Sequence, residues 1–232
     1  MFIIWARISP PKGKQISKWN FFVAHAVMSN NLQADILGQK VILAVDESHR
    51  KNLSAAHSAC HLVSLALNKL LSTYWQNKKN IPKDSLGHYD FDQQAIFSSH
   101  IQPNQSWDTY RLGKSLRKVG FDEHRFLVDL KKGQLITQMN QWISERVAME
   151  VNPGVSFLES RRTWTCTFQD NTQAKIPCGG THLTDFCEVD MIKVSVEKSQ
   201  LLLSSPKGTY ITLISDVVRH KTIKEESKNG NE

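Results

Sequence analysis

Two short motifs constrain this chain more than any other feature: His57-Ser58-Ala59-Cys60-His61 and, far downstream, Pro177-Cys178-Gly179-Gly180-Thr181-His182. On a helix, the i, i+4 spacing of His57 and His61 puts both imidazoles on one face, within reach of one point. In the second motif a cysteine and a histidine flank two glycines, which permit a tight or left-handed backbone that turns both side chains the same way. Each half has an ordinary reading alone, as two satisfied histidines on a helix and as a glycine turn with a buried cysteine. Together they offer three imidazoles and one thiolate, a ligand set suited to one zinc ion per chain. The expected ligands are therefore His57, His61, Cys178 and His182, and the fold must carry a helix face and a distant loop to one place.

Four protein ligands normally close a structural zinc site, whereas catalysis needs a position for water or substrate. Ser58 follows His57 where a zincin helix carries its glutamate base, so the metalloprotease reading fails. The sequence shows neither a Ser-His-Asp pattern nor a glycine-rich phosphate loop, and no general base is identifiable.

With 232 residues, 40% of them apolar, the chain can bury a core without disulfide staples. Its four cysteines, Cys60, Cys166, Cys178 and Cys187, are too sparse for a disulfide framework, and a reducing cytoplasm is the expected location. Burial is expected for Cys60, which faces another side of the helix from the histidines, and for Cys187. The apolar opening Met1–Trp5 is interrupted by Arg7 and Pro10-Pro11-Lys12, too soon to span a membrane. A net charge of +7 favours an anionic partner such as nucleic acid.

Lys40–Asp46 reads as a short strand and Ser54–Trp75 as a long half-buried helix, with Leu62, Leu65, Ala66, Leu70 and Tyr74 at helical spacing. Residues 88–123 read as a surface insertion, Phe126–Leu130 as a strand, and Gln134–Glu150 as a second helix burying Ile136, Met139, Ile143 and Val147. Strands are expected over Thr163–Phe168, Met191–Glu197 and Thr209–Ile214, the last two bracketing a turn at Ser205–Gly208, and a disordered charged tail should close the chain. The fold class is α+β, a mixed or antiparallel sheet packed with a long metal-bearing helix.

In this order the two motifs resemble the editing domain of alanyl-tRNA synthetases, the threonyl/alanyl-tRNA synthetase second additional domain, which freestanding (AlaX-like) alanyl-tRNA editing proteins share. Supporting residues are Val41–Asp46 and Arg50 before the helix, Phe126–Leu130 as the middle strand, and Glu188 with Lys193 after the cysteine loop. The related editing domain of threonyl-tRNA synthetases is the near competitor, and the Gly179-Gly180-Thr181 filling is more similar to the alanyl type. The resemblance covers residues 38–214. It implies three parts: a truncated β-barrel-like segment at 1–48, a zinc-binding editing domain at 49–216 and a disordered tail at 217–232. This chain departs from the family at Ser58, usually threonine, at Asp190, usually glycine, and in the length of 88–123.

The resemblance implies zinc-dependent hydrolysis, in trans, of the ester joining serine or glycine to tRNA(Ala). The partner would be mischarged tRNA(Ala), with no ATP used, since a class II aminoacylation domain has no room here. Ser58 and Thr181 would offer hydroxyl contacts near the ion, against ordinary readings as a helix serine and a turn residue. Arg111, Lys114, Arg117, Lys118 and Lys193 would meet tRNA phosphates, or else form solvated faces, with Glu188 and Lys193 paired on a strand. The competing class is a non-catalytic tRNA-binding or synthetase-associated module in which zinc only holds the fold.

Overall fold

A computed structural model describes residues 3–4, 24–25, 40, 42, 44–76, 81–129, 133–152, 160–199 and 209–220. The chain divides into two compact units, Met1–Val45 with Pro153–Arg161, and Asp46–Asn152 with Arg162–Glu232. In the first, strands β1 (Ile3–Ile4) and β2 (Ala24–His25) pair antiparallel. The rest of the barrel-like segment expected at 1–48 lies mostly outside the described residues, and no closed barrel occurs among those described.

The second unit is built on helix α1 (Glu47–Leu71). Asp46 caps it, accepting the His49 N–H at 2.8 Å, a contact of about 1 kcal/mol, and no glycine or proline interrupts it. A 3-10 turn at Ser72–Tyr74 ends it, short of Pro82 and Gly87. The expected half-buried helix is a central one from Leu62 to Leu67, where Leu62, Val63, Leu65, Ala66 and Leu67 are all buried and so cover every side of the helix.

Strands β3 (Ile96–Gln102), β4 (Gln105–Leu112), β8 (Val189–Ser199) and β9 (Thr209–Arg219) form one sheet in the order β3-β4-β9-β8. Strands β5 (Ala148–Asn152), β6 (Thr163–Thr167) and β7 (Gln173–Pro177) form another in chain order. Every pairing among the described residues is antiparallel. Helices α2 (Phe91–Ala95), α3 (Lys114–Lys118), α4 (Glu123–Asp129) and α5 (Gln134–Ser144) complete an α+β unit. Among the described residues no helix is long and apolar enough to cross a membrane.

Several expectations are corrected. The run from Lys40 to Asp46 is not a strand at its described positions: Ile42 is 94% exposed, no strand pairing among the described residues includes it, and Asp46 serves as the helix cap. Residues 88–123 are no surface insertion, because Phe91, Tyr110, Leu112, Leu116 and Phe121 lie in the core and the β3–β4 hairpin fills half of the larger sheet. Phe126–Asp129 is helical, since Asp122 accepts the Arg125 N–H at 3.0 Å at the helix start and Phe126 packs its ring 5.3 Å from Phe91. A short apolar run carries no periodicity that separates strand from helix. Helix α5 stops at Ser144 because Arg146 takes a left-handed φ of 51°, so Val147 is buried outside the helix, and Ile136 is exposed.

The strands expected at 163–168, 191–197 and 209–214 appear as β6, β8 and β9, with β9 running on through 217–219 of the expected tail. The turn at 205–208 and the tail from 221 lie outside the described residues.

Candidate metal centre

Helix α1 supplies His57 and His61 one turn apart, and the segment after β7 supplies Cys178 and His182. That segment is tied down at both ends. The Cys178 N–H donates to the Arg162 carbonyl at 3.0 Å, the Leu183 N–H to the Ser58 hydroxyl at 3.0 Å, and the Met149 N–H of β5 to the Thr184 carbonyl at 2.7 Å. Ser58 is fully buried, so its oxygen spares Leu183 N–H an unsatisfied burial worth roughly 1–3 kcal/mol.

The four ligand atoms lie within 4.8 Å of one another and form a cluster that could hold one metal ion. The Cys178 Sγ stands 3.5 Å from His57 Nε2 and 3.4 Å from His182 Nε2. A tetrahedral zinc ion, with bonds of about 2.0 Å to nitrogen and 2.3 Å to sulfur, separates neighbouring N and S ligands by about 3.5 Å. The imidazole centroids are 4.9 Å apart for His57–His61, 4.1 Å for His57–His182 and 5.0 Å for His61–His182.

His61 Nε2 is a buried polar atom with no hydrogen-bond partner among the described residues, although such atoms are nearly always paired. A cation at the centre of the cluster would satisfy it. Desolvation lowers the pKa of all three imidazoles: His57, partly offset by a hydrogen bond to the Thr181 backbone; His61, well below its usual range, with His57 and His182 adding to the effect; and His182, down to about 3. Neutral imidazoles are the form that binds metal, so the donor chemistry fits.

Neither glycine takes a left-handed backbone, since Gly87, Gly120 and Gly133 are the positive-φ glycines among the described residues, and Gly180 acts by close approach. A Cβ on Gly180 would stand 2.5 Å from Nδ1 of His57 and nearer still to Cε1. At Gly179 a Cβ would make ordinary contact with the Arg162 stem, Cδ at 3.8 Å and Cβ at 4.0 Å.

Thr181 Oγ1 lies 2.6 Å from Ser54 Oγ and accepts from Arg50 Nε at 3.3 Å, and Ser58 Oγ is 3.5 Å from His182 Nδ1. Cys60 stays outside the cluster, its Sγ 3.4 Å from Asp108 Oδ1, and Cys187 is exposed rather than buried. Glu188 pairs with Lys51 at 2.5 Å and Arg219 at 2.6 Å, not with Lys193, which faces Asp216 of β9.

The expected phosphate-binding residues are not drawn to the cluster. Arg111 is the penultimate residue of β4, and Lys114, Arg117 and Lys118 lie on α3, where Arg117 pairs with Glu123 at 2.9 Å. The Trp75–Phe121 bridge sets this corner beside the far end of α1, roughly 20 Å along the axis from His61. Ser54 and Trp164 escaped the sequence reading, and Arg50 entered it without a role at the site. Arg50 and Ser54 extend the histidine face of α1 by helical spacing, a signal that was available, whereas Trp164 of β6, 4.9 Å from the His61 ring, had none.

No family model matches the chain. It is 23% identical over 167 residues to an alanine–tRNA ligase of Thermotoga sp. (strain RQ2), covering 70% of this chain and 17% of that protein. Against the alanine–tRNA ligase of Thermotoga petrophila, 23% identity extends over 203 residues, 81% of this chain and 20% of the relative. That of Bdellovibrio bacteriovorus is 24% identical over 161 residues, 69% of this chain and 16% of the relative. The chain is thus similar over most of its length to alanine–tRNA ligases, and spans a fifth or less of the length of these curated relatives.

Proposed function

We propose that this chain is a zinc-dependent aminoacyl-tRNA deacylase that clears serine or glycine from mischarged tRNA(Ala) in trans, in the cytoplasm and without ATP. The observation that carries this reading is the convergence of His57, His61, Cys178 and His182, with His61 Nε2 otherwise unpartnered, in a chain similar to alanine–tRNA ligases.

An ion held there would supply polarisation of the ester carbonyl and of the attacking water. The protein's own groups do the holding. Ser58 binds the loop through Leu183 N–H and stands beside His182, while Thr181 bonds to the His57 ring through its backbone and to Ser54 and Arg50 through its hydroxyl. These contacts aim the ligand rings in advance, so that little reorganisation accompanies the reaction.

A second reading, a tRNA-binding or synthetase-associated module with a structural zinc, is favoured by the number of ligands, because four protein ligands fill a tetrahedral ion. Incubation of the purified protein with serine-, glycine- and alanine-charged tRNA(Ala), beside His57→Ala and Cys178→Ala variants with zinc assayed, separates the two. Release of serine or glycine but not alanine, lost in both variants, is expected. Bound zinc and tRNA affinity with no ester cleaved would leave the structural module standing.

A further inference from the structure

Arg50, Ser54, His57 and His61 follow one another along a single face of α1, so the face that carries two of the ligands continues towards the helix start as a polar strip. Arg50 Nε donates to Thr181 Oγ1 at 3.3 Å, Thr181 Oγ1 is 2.6 Å from Ser54 Oγ, and Ser54 Oγ donates to the Arg50 carbonyl at 2.9 Å. These bonds close a cycle when Thr181 donates to Ser54, and both hydroxyl protons are then used. Thr181 precedes the ligand His182 and its backbone bonds to His57, so the cycle fastens the Arg50 guanidinium to the ligand loop.

A guanidinium held by Nε keeps its two terminal amino groups, the fork that matches two phosphate oxygens at once. Arg50 is exposed, and among the described residues those amino groups make no hydrogen bond and Arg50 makes no ion pair. The contrast with its neighbours is sharp: Lys51 and Arg219 both spend their charge on Glu188. Arg162, whose stem lies 3.8 Å from where a Cβ on Gly179 would stand, brings a second cation to the same loop.

We propose that Arg50 grips a phosphodiester of the RNA strand whose charged 3′ end enters the cluster, an assignment that rests on the deacylase reading above. Arg50 is then the group that positions the ester against the ligand loop, and the distant basic run on β4 and α3 is not needed for that task.

The test has a binding arm and a hydrolysis arm. Binding of an uncharged RNA hairpin ending in single-stranded CCA is followed by anisotropy at several salt concentrations for the wild type, Arg50→Ala and Arg50→Lys. Arg50→Ala is expected to weaken binding about tenfold and to flatten the dependence of log K on log salt by about 0.7, the value of one phosphate contact on a single strand. Arg50→Lys should keep the slope while losing part of the affinity, since a point charge replaces the fork.

In the hydrolysis arm, seryl-tRNA is compared with seryl-adenosine, which has no phosphate, and Arg50→Ala should lower the ratio of the two rates about tenfold through KM. Equal RNA affinity and salt slope in wild type and Arg50→Ala would overturn the phosphate grip, whatever the enzyme does. A wild type that cleaves neither ester removes the deacylase reading, and the binding arm still decides the role of Arg50.

Discussion

Gly180 lies against the imidazole of His57 so closely that a Cβ there would stand 2.5 Å from the ring's Nδ1. Neither partner can yield cheaply, because His57 is fixed on α1 and the loop is pinned by Cys178 and Leu183. Gly180→Ala should therefore displace the ring from the cluster, weakening zinc binding at least tenfold and costing roughly 1–3 kcal/mol of stability, as overpacking does. Competition with a chromogenic chelator reads the first effect and urea unfolding the second. Wild-type zinc affinity in this variant would mean that the His57 ring is not a ligand.

The unpartnered Nε2 of His61 leads to a paired expectation. With zinc removed, His61→Leu should match or exceed the wild type in stability, since it replaces an unsatisfied buried nitrogen by an apolar group. With zinc at a thousandfold its Kd, the wild type should gain about 4 kcal/mol and the variant far less. Thermal unfolding with and without the metal measures both, and an equal zinc-induced gain in the two proteins would take His61 out of the ligand set.

A third expectation concerns pH and a residue away from the cluster. Burial pushes the Asp92 carboxyl up from 3.8 to about 6, against hydrogen bonds from Tyr110, at 2.7 Å, and from Ser64, while Asp90 and Asp108 add to the rise. The folded chain thus holds this proton more tightly than the unfolded one. The contribution of Asp92 to stability is at its best below about pH 4 and declines as pH rises through about 6, by at most about 3 kcal/mol. Asp92→Asn has no such proton, so its urea midpoint relative to the wild type should improve between pH 4 and pH 7.5. A constant difference across that range would mean that Asp92 is not a buried acid of raised pKa.

Helix α1 was legible from Ser54 onward because its uninterrupted length and its apolar spacing point the same way, although its cap Asp46 reads as a strand end, and β6, β8 and β9 because alternating β-branched runs have few other uses. Phe126–Asp129 was not, for its short apolar run Phe126-Leu127-Val128 fits a strand as well as a turn of helix, and packing of Phe126 against Phe91 and Phe121 decided the matter. The hairpin Ile96–Leu112 was hidden by its polar exposed positions, which read as surface until β9 is laid beside β4. The end of α5 turned on one non-glycine residue, Arg146, in a left-handed conformation that no local pattern announces.

The sequence by itself determined which residues form the candidate ligand set and that His57 and His61 share a face, because the pitch of a helix is a local property. Only the tertiary structure decided that Cys178 and His182 arrive at hydrogen-bond range of that face, that Gly180 must lack a side chain, that Arg50 is anchored by Thr181, and that the basic run on α3 stands elsewhere. Each of these is a distance between segments far apart in the chain, set by how α1 and the loop after β7 pack together, and no periodicity within either segment encodes it.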